Sequence, residues 1–212
     1  MTGLRTGQWP GFVARVATPA LPSETISDVA EGYEVTIGGE APGGVVLAVS
    51  TQILLETGTR EDPNHDGVTT REEQAPGYWN GNGGNIRGTY GAGWWTSFTA
   101  GEGHGASAVT LQPGPNNRFR SYVGPNEDPT NPEVQRRARR LGIDDMLSLL
   151  ARKYSKALER AAARDYHGYV QALHDGGYFT ADTGAYDRAE ERLRHTIENL
   201  PQLAAFLHEA HT

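Results

Sequence analysis

Across residues 59–122 the chain abandons helical periodicity, while both flanks keep it. Turn residues dominate this central stretch, with NGNGGN from Asn80 and PGPNN from Pro113, and such dipeptides mark turns and loops. The fold is thereby restricted to helices, an inserted turn-rich lobe, and helices again: an α+β chain, mainly α, in which lobe and helical body enclose a cleft. One domain over 1–212 is expected, with a helical body at 1–58 and 131–212 and the lobe at 59–130.

The amino-terminal flank reads as GFVARVA from Gly11, then SETISDVAEGY with Ser23 as N-cap, then an apolar helix from Gly44 to Thr57 stopped by Gly58. In the lobe, WWTSFTA from Trp94 and ASAVTLQ from Ala106 form the arms of a hairpin, extended by FRSY from Phe119. Beyond Pro132, Ile143, Met146, Leu147, Leu150, Tyr154 and Leu158 recur at helical spacing. Asp165 caps YHGYVQALHDGG, and two further helices run to Ala210.

A chain of 212 residues is long enough for one substantial core. Its 37% hydrophobic and 21% charged residues are those of a globular protein, and most of its 27 glycines fall between Gly38 and Gly124. A formal net charge of −7 argues against a nucleic-acid partner, which calls for a basic face. Without cysteine there is neither a disulfide framework nor a thiolate metal site. Neither a signal peptide nor a membrane span is expected: the amino terminus lacks a continuous apolar run, and VVLAVSTQILL is broken by Ser50, Thr51 and Gln52.

Glu56 is the residue that stands out. It occupies the last helical turn before Gly58, where the macrodipole disfavours a carboxylate by a few tenths to about 1 kcal/mol. Val45, Val49, Gln52, Ile53 and Glu56 share one face at spacings of three and four, so the carboxyl looks along the wall of the core. The bland alternative is a solvated glutamate at a helix end.

Four blocks, in order, carry a resemblance. ILLETG, GGNIRGTYG, FRSY and LHDGGYFTADTGAY, spanning Ile53 to Tyr186, resemble the ALESGWG, NNLFGIKG, FRxY and LxxAGYATDPxY signatures of the flagellar and autolysin-type glucosaminidases, glycoside hydrolase family 73 of the lysozyme-like superfamily. The resemblance implies a lysozyme-like fold and an endo-β-N-acetylglucosaminidase that cuts peptidoglycan between N-acetylglucosamine and N-acetylmuramic acid, with Glu56 as general acid. Burial and a helix C-terminus both raise a carboxyl pKa, as that role requires. The chain departs from the family at Thr59 and Arg60, at Ile86, and in the insertion that precedes GGNIRG.

An inverting glycosidase places a second carboxylate roughly 6.5–9.5 Å from the first, a retaining one about 5 Å away. The family's second acid lies on the lobe before FRxY, which makes Glu102 the candidate; its alternatives are an ordinary turn glutamate and assistance by the substrate's own N-acetyl group. Tyr178 matches the family tyrosine that lines the cleft and positions water or sugar. Asn85 and Arg87 match cleft positions. Trp79, Trp94 and Tyr122, with Trp95, offer flat apolar faces to sugar rings, one or two of them serving instead as core of the lobe.

The insertion carries a separate signal. DPNHDGVTTREE fits a twelve-residue calcium loop, with Asp62, Asn64 and Asp66 at positions one, three and five, Gly67 at six, the Val68 carbonyl at seven and Glu73 at twelve. A structural calcium ion pinning the end of the Glu56 helix is expected; an acidic surface loop with Asx turns is the alternative. RRARR at 136–140 reads as the solvated face of helices, and His65, His104 and His174 are too scattered for zinc. Muramidase or lytic transglycosylase activity, and a non-catalytic wall-binding module of a phage tail or secretion machine, remain alternatives. The expected place of action is the bacterial cell wall, reached as a phage endolysin, a virion enzyme or an exported effector.

Overall fold

The computed structural model describes residues 12–19, 22–57, 77–87, 94–97, 100–102, 109–114, 117–179 and 182–200. Its axis is helix α2 (Gly43–Thr57), which follows α1 (Pro22–Thr36). Apart from its ends, α2 is buried on every side: Val45, Val49 and Ile53 face one core, Val46, Leu47 and Leu54 another, and even Ser50, Thr51 and Gln52 are fully enclosed. The run GGVVLAVSTQILL is apolar all round, and a helix of that kind stabilises a fold by being wrapped rather than by resting on a surface.

Four helices, together with α1, do the wrapping: α3 (Pro132–Lys153), α4 (Ser155–Ala162), α5 (Tyr166–Asp175) and α6 (Thr183–Glu198). The main core joins Val29, Val49 and Ile53 to Ile143, Met146, Leu147 and Leu150 of α3 and to Tyr169, Val170 and Leu173 of α5. Each large apolar side chain withdrawn this way contributes roughly 1.5–3 kcal/mol. The second core sets Ile26, Val46, Leu47 and Leu54 against Ile197 of α6.

Polar caps fix the ends. Asn131 accepts from the Glu133 amide ahead of Pro132, Asp165 from Gly168, and Asp182 from Ala185, each satisfying a donor that the first turn leaves open. The Asp165 cap is the one expected. The helical spacing through residues 143–158 is broken at Tyr154, whose amide still bonds Leu150 while its carbonyl starts α4 by accepting from Ala157. Of the two helices expected after α5, α6 is present, and residues 201–210 lie outside the described residues.

Three expectations fail. Residues 12–19 are not helical: Ala17–Pro19 is a strand, β1, paired antiparallel with β2 (Gly77–Trp79), and Phe12 and Val13 pair with Trp95. The segment between Pro10 and Pro19 is too short to sustain a helix of its own, and its β-branched Val13, Val16 and Thr18 suit a strand. Ser23 is not an N-cap but lies within the first turn, because Pro22 already begins α1. Nor is RRARR wholly solvated: Arg139 is buried and pairs at 2.9 Å with buried Asp28 of α1, whose other carboxylate oxygen takes Arg140 at 3.1 Å. A one-dimensional charge run cannot reveal that its neighbour will be a carboxylate on another helix.

Among its described residues the lobe holds two ladders. β4 (Ala100–Glu102) pairs with β5 (Val109–Leu111), and β3 (Trp94–Thr96) pairs with β6 (Phe119–Ser121), both antiparallel. The expected hairpin of WWTSFTA with ASAVTLQ is therefore corrected: Ala100–Glu102 pairs with Val109–Leu111, whereas Trp94–Thr96 pairs with the FRSY strand. Asparagines in NGNGGN stitch this lobe to the body. Buried Asn80, at φ 55°, donates to the Ala14 carbonyl and Ser121 Oγ and accepts from the Val16 amide. Asn82 brackets Ile86 by accepting from its amide and donating to its carbonyl, both at 2.9 Å. Gly81 and Gly142 allow the loop to touch α3: a Cβ on Gly142 would stand 1.8 Å from the Gly81 carbonyl oxygen, and Gly81 itself has φ +77°.

Candidate active site

Glu56 stands half-buried in the last turn of α2, with its carboxyl held from three directions. Oε1 accepts from Gln52 Nε2 at 2.9 Å and from Tyr186 Oη at 3.0 Å; the Gln52 amide also donates to Tyr186 Oη. Asn85 Nδ2 donates to the Glu56 backbone carbonyl at 2.8 Å and reaches Oε2 at 3.3 Å. One asparagine, in the left-handed conformation at φ 47°, therefore caps a carbonyl that the helix end leaves open and steers the side chain beside it.

Burial raises the Glu56 pKa above the ordinary carboxyl value, and the hydrogen bonds from Tyr186, Asn85 and Gln52 pull it part of the way back. The net shift is upward, towards the protonated form relative to an ordinary glutamate. Among the described residues Oε1 takes two donors and Oε2 only the longer contact, which makes Oε2 the oxygen with room for the proton.

Two tyrosines surround this carboxyl in different ways. Tyr186 touches it, its ring stacked on Phe179 at 4.0 Å. Tyr178 donates to the Gly84 carbonyl at 2.9 Å and sets its ring edge-on against Tyr154, bracing the loop that carries Asn85. Burial, and after it the Glu56 charge, holds both phenols protonated, with pKa values well above 10. Sequence reasoning missed Tyr186 as a site residue although it ends the fourth matching block; Gln52 was legible as a neighbour of Glu56 on the helix face.

No protein-family model matches the chain, and no curated protein matches it. In three dimensions the chain is similar to the crystal structure of a peptidoglycan hydrolase mutant from Sphingomonas sp. A1, with 18% sequence identity and a TM-score of 0.50 over 88% of this chain and 96% of that one. The fold is lysozyme-like. In this lysozyme-like frame, Glu56 ends the central helix where body and lobe meet.

The other candidates occupy several places. Arg87 is exposed, its guanidinium over the Phe119 ring at 5.5 Å. Trp94 and Tyr122 line one groove of about 590 Å3 with Arg120, Arg137 and Leu141. There Tyr122 donates to Asp145, which also pairs with Arg120 at 3.0 Å. Trp95 is buried in the lobe against Phe12 and Arg118. Trp79 pairs with Ala17 in β2, and Glu102 pairs with Val109 in β4; their side chains lie outside what is described, as do Asp62, Asn64, Asp66, Val68 and Glu73 entirely. Among the described residues no group of three or more His, Asp or Glu could hold a metal ion. A cavity of about 610 Å3 between α4 and α5 includes none of the residues around Glu56, so size does not mark this site. The buried, hydrogen-bonded carboxyl does.

Proposed function

We propose that the chain is a peptidoglycan hydrolase, and specifically an endo-β-N-acetylglucosaminidase cutting between N-acetylglucosamine and N-acetylmuramic acid. The observation that carries this reading is the Glu56 carboxyl, biased towards its protonated form at the end of the central helix of a lysozyme-like fold. The structural similarity to a peptidoglycan hydrolase supports the substrate class, and the four sequence blocks support the bond.

In this mechanism Glu56 Oε2 gives its proton to the leaving glycosidic oxygen as the bond to the anomeric carbon breaks, and water completes the cleavage there. Gln52 and Tyr186 hold Oε1, which keeps the proton on the atom facing the sugar and then steadies the carboxylate that forms. Asn85 sets the direction of the carboxyl, and Tyr178 keeps the Asn85 loop in register. Glu102, or the acetamide of the substrate, assists at the anomeric carbon. Arg87, Trp79, Trp94 and Tyr122 contact the strand.

Digesting purified cell wall and identifying the new ends by mass spectrometry tests the bond. Reducing N-acetylglucosamine is the expected end. Reducing muramic acid would make the chain a muramidase, an anhydro end a lytic transglycosylase, and no release a wall-binding module.

Calcium belongs to the same proposal. The donor set of the 62–73 loop, three side-chain oxygens, one carbonyl and a terminal glutamate, is that of a hard divalent ion. Bound there, calcium would anchor the chain just after Glu56 and take no part in bond cleavage. Because a ligand held only by the folded state stabilises it, excess chelator should lower Tm by a few degrees and added calcium should restore it. An unchanged Tm would remove calcium from the account.

A further inference from the structure

Of the three large hydrophobic side chains exposed among the described residues, two, Trp94 at 44% and Leu141 at 45%, line the same groove. Arg120 of strand β6 and Tyr122 just after it form one wall, and α3 forms the other through Arg137 and Leu141. The groove adjoins the Glu56 site through one loop. Residues 80–87 present Asn85 to Glu56 and, on the other side, accept hydrogen bonds from the groove strand: Arg120 N donates to the Ile86 carbonyl and Tyr122 N to the Asn80 carbonyl, both at 2.8 Å. The groove thus lies one loop away from Glu56.

The charges distinguish its ligand from further sugar. Arg137 is clamped on Glu127 through both guanidinium nitrogens, Glu127 also accepts from the Gly124 amide at 2.7 Å, and Arg120 is paired with Asp145. Both arginines are partly exposed, and so is Glu127. Ion pairs this exposed contribute little to stability, the two-pronged Arg137–Glu127 contact more than the other. Flat faces and neutral donors are enough for uncharged amino sugars, whereas a groove with guanidinium and carboxylate groups between apolar flanks matches a ligand that is itself zwitterionic and methyl-bearing. On a peptidoglycan strand those properties belong to the peptide stem, with its carboxylates, its diamino-acid amine and its alanine methyls. The volume, about 590 Å3, falls within the roughly 300–1,000 Å3 of sites that hold small ligands.

We propose that the groove between Trp94 and Leu141 binds the peptide stem of the strand being cut, an inference that rests on the peptidoglycan reading above. Carboxylates of the stem meet Arg120 and Arg137, its amine meets Glu127, and its methyl groups pack on Trp94 and Leu141.

Two measurements test it on the full chain. Soluble stem peptide, titrated onto protein labelled with 15N at tryptophan, should shift the Trp94 indole resonance, which Trp94→Phe identifies. Rates on stem-bearing wall and on the same glycan stripped of stems by an amidase should differ for wild type. Arg137→Gln and Leu141→Ser, checked for unchanged Tm, should each raise KM several-fold to about tenfold on stem-bearing strands and leave bare glycan unaffected. Equal rates of wild type on the two substrates, equal losses on both in the variants, or an unmoved indole signal would overturn the proposal. Should wild type cut neither substrate, the glycosidase reading falls, while the indole titration still decides the groove.

Discussion

Glu56→Gln should lose about 10²- to 10⁴-fold of wall-lytic activity, the range that a positioned general acid supplies. The amide keeps the shape and an oxygen for Gln52 and Tyr186, so the variant should fold. Its stability relative to wild type should depend on pH with a definite sign. A carboxyl whose folded pKa is raised contributes stability that is complete below its unfolded value, about 4.3 for Glu, and lost as pH rises through the folded value. Glu56→Gln should therefore gain Tm on wild type as pH rises from about 4.3 through the folded value. The activity of wild type should fall over the same rise in pH, as the acid gives up its proton.

Asp28→Ala should produce the largest loss of stability. It takes from buried Arg139 its carboxylate partner at 2.9 Å, with exposed Glu24 at 3.7 Å a poor replacement, and removing one partner of a buried pair costs about 3–5 kcal/mol. For a chain of this size that is about 6–20 °C in Tm. The paired substitution Asp28→Leu with Arg139→Met should recover most of the loss, because two apolar groups in place of a buried ion pair are close to neutral. Thermal denaturation of wild type and the two variants decides it; a double variant as unstable as the single would assign the loss to packing instead of charge.

What was legible in the sequence was local. The apolar run before Glu56, the Asp165 cap and the 143–150 spacing each carry their signal within a few residues, and the corresponding elements formed. Features that depend on distant partners were not legible. Strand β1 exists because residue 17 meets residue 79, Arg139 is buried because Asp28 arrives from α1, and Tyr186 reaches Glu56 across most of the chain. The asparagines of NGNGGN read as turn formers, and they are, yet their side chains also tie three parts of the fold together. The end of the Glu56 helix and the burial that raises the carboxyl's pKa were visible in advance; the hydrogen bonds from Tyr186 and Asn85 that pull it part of the way back were not.

The central claim is that Glu56 keeps a proton under conditions where an ordinary glutamate has lost it. Carbon-detected NMR of glutamate side-chain carboxyls, with Glu56→Gln identifying the resonance, measures that directly. A midpoint clearly above those of the exposed glutamates is the predicted result. A midpoint among them, or below, would contradict the account.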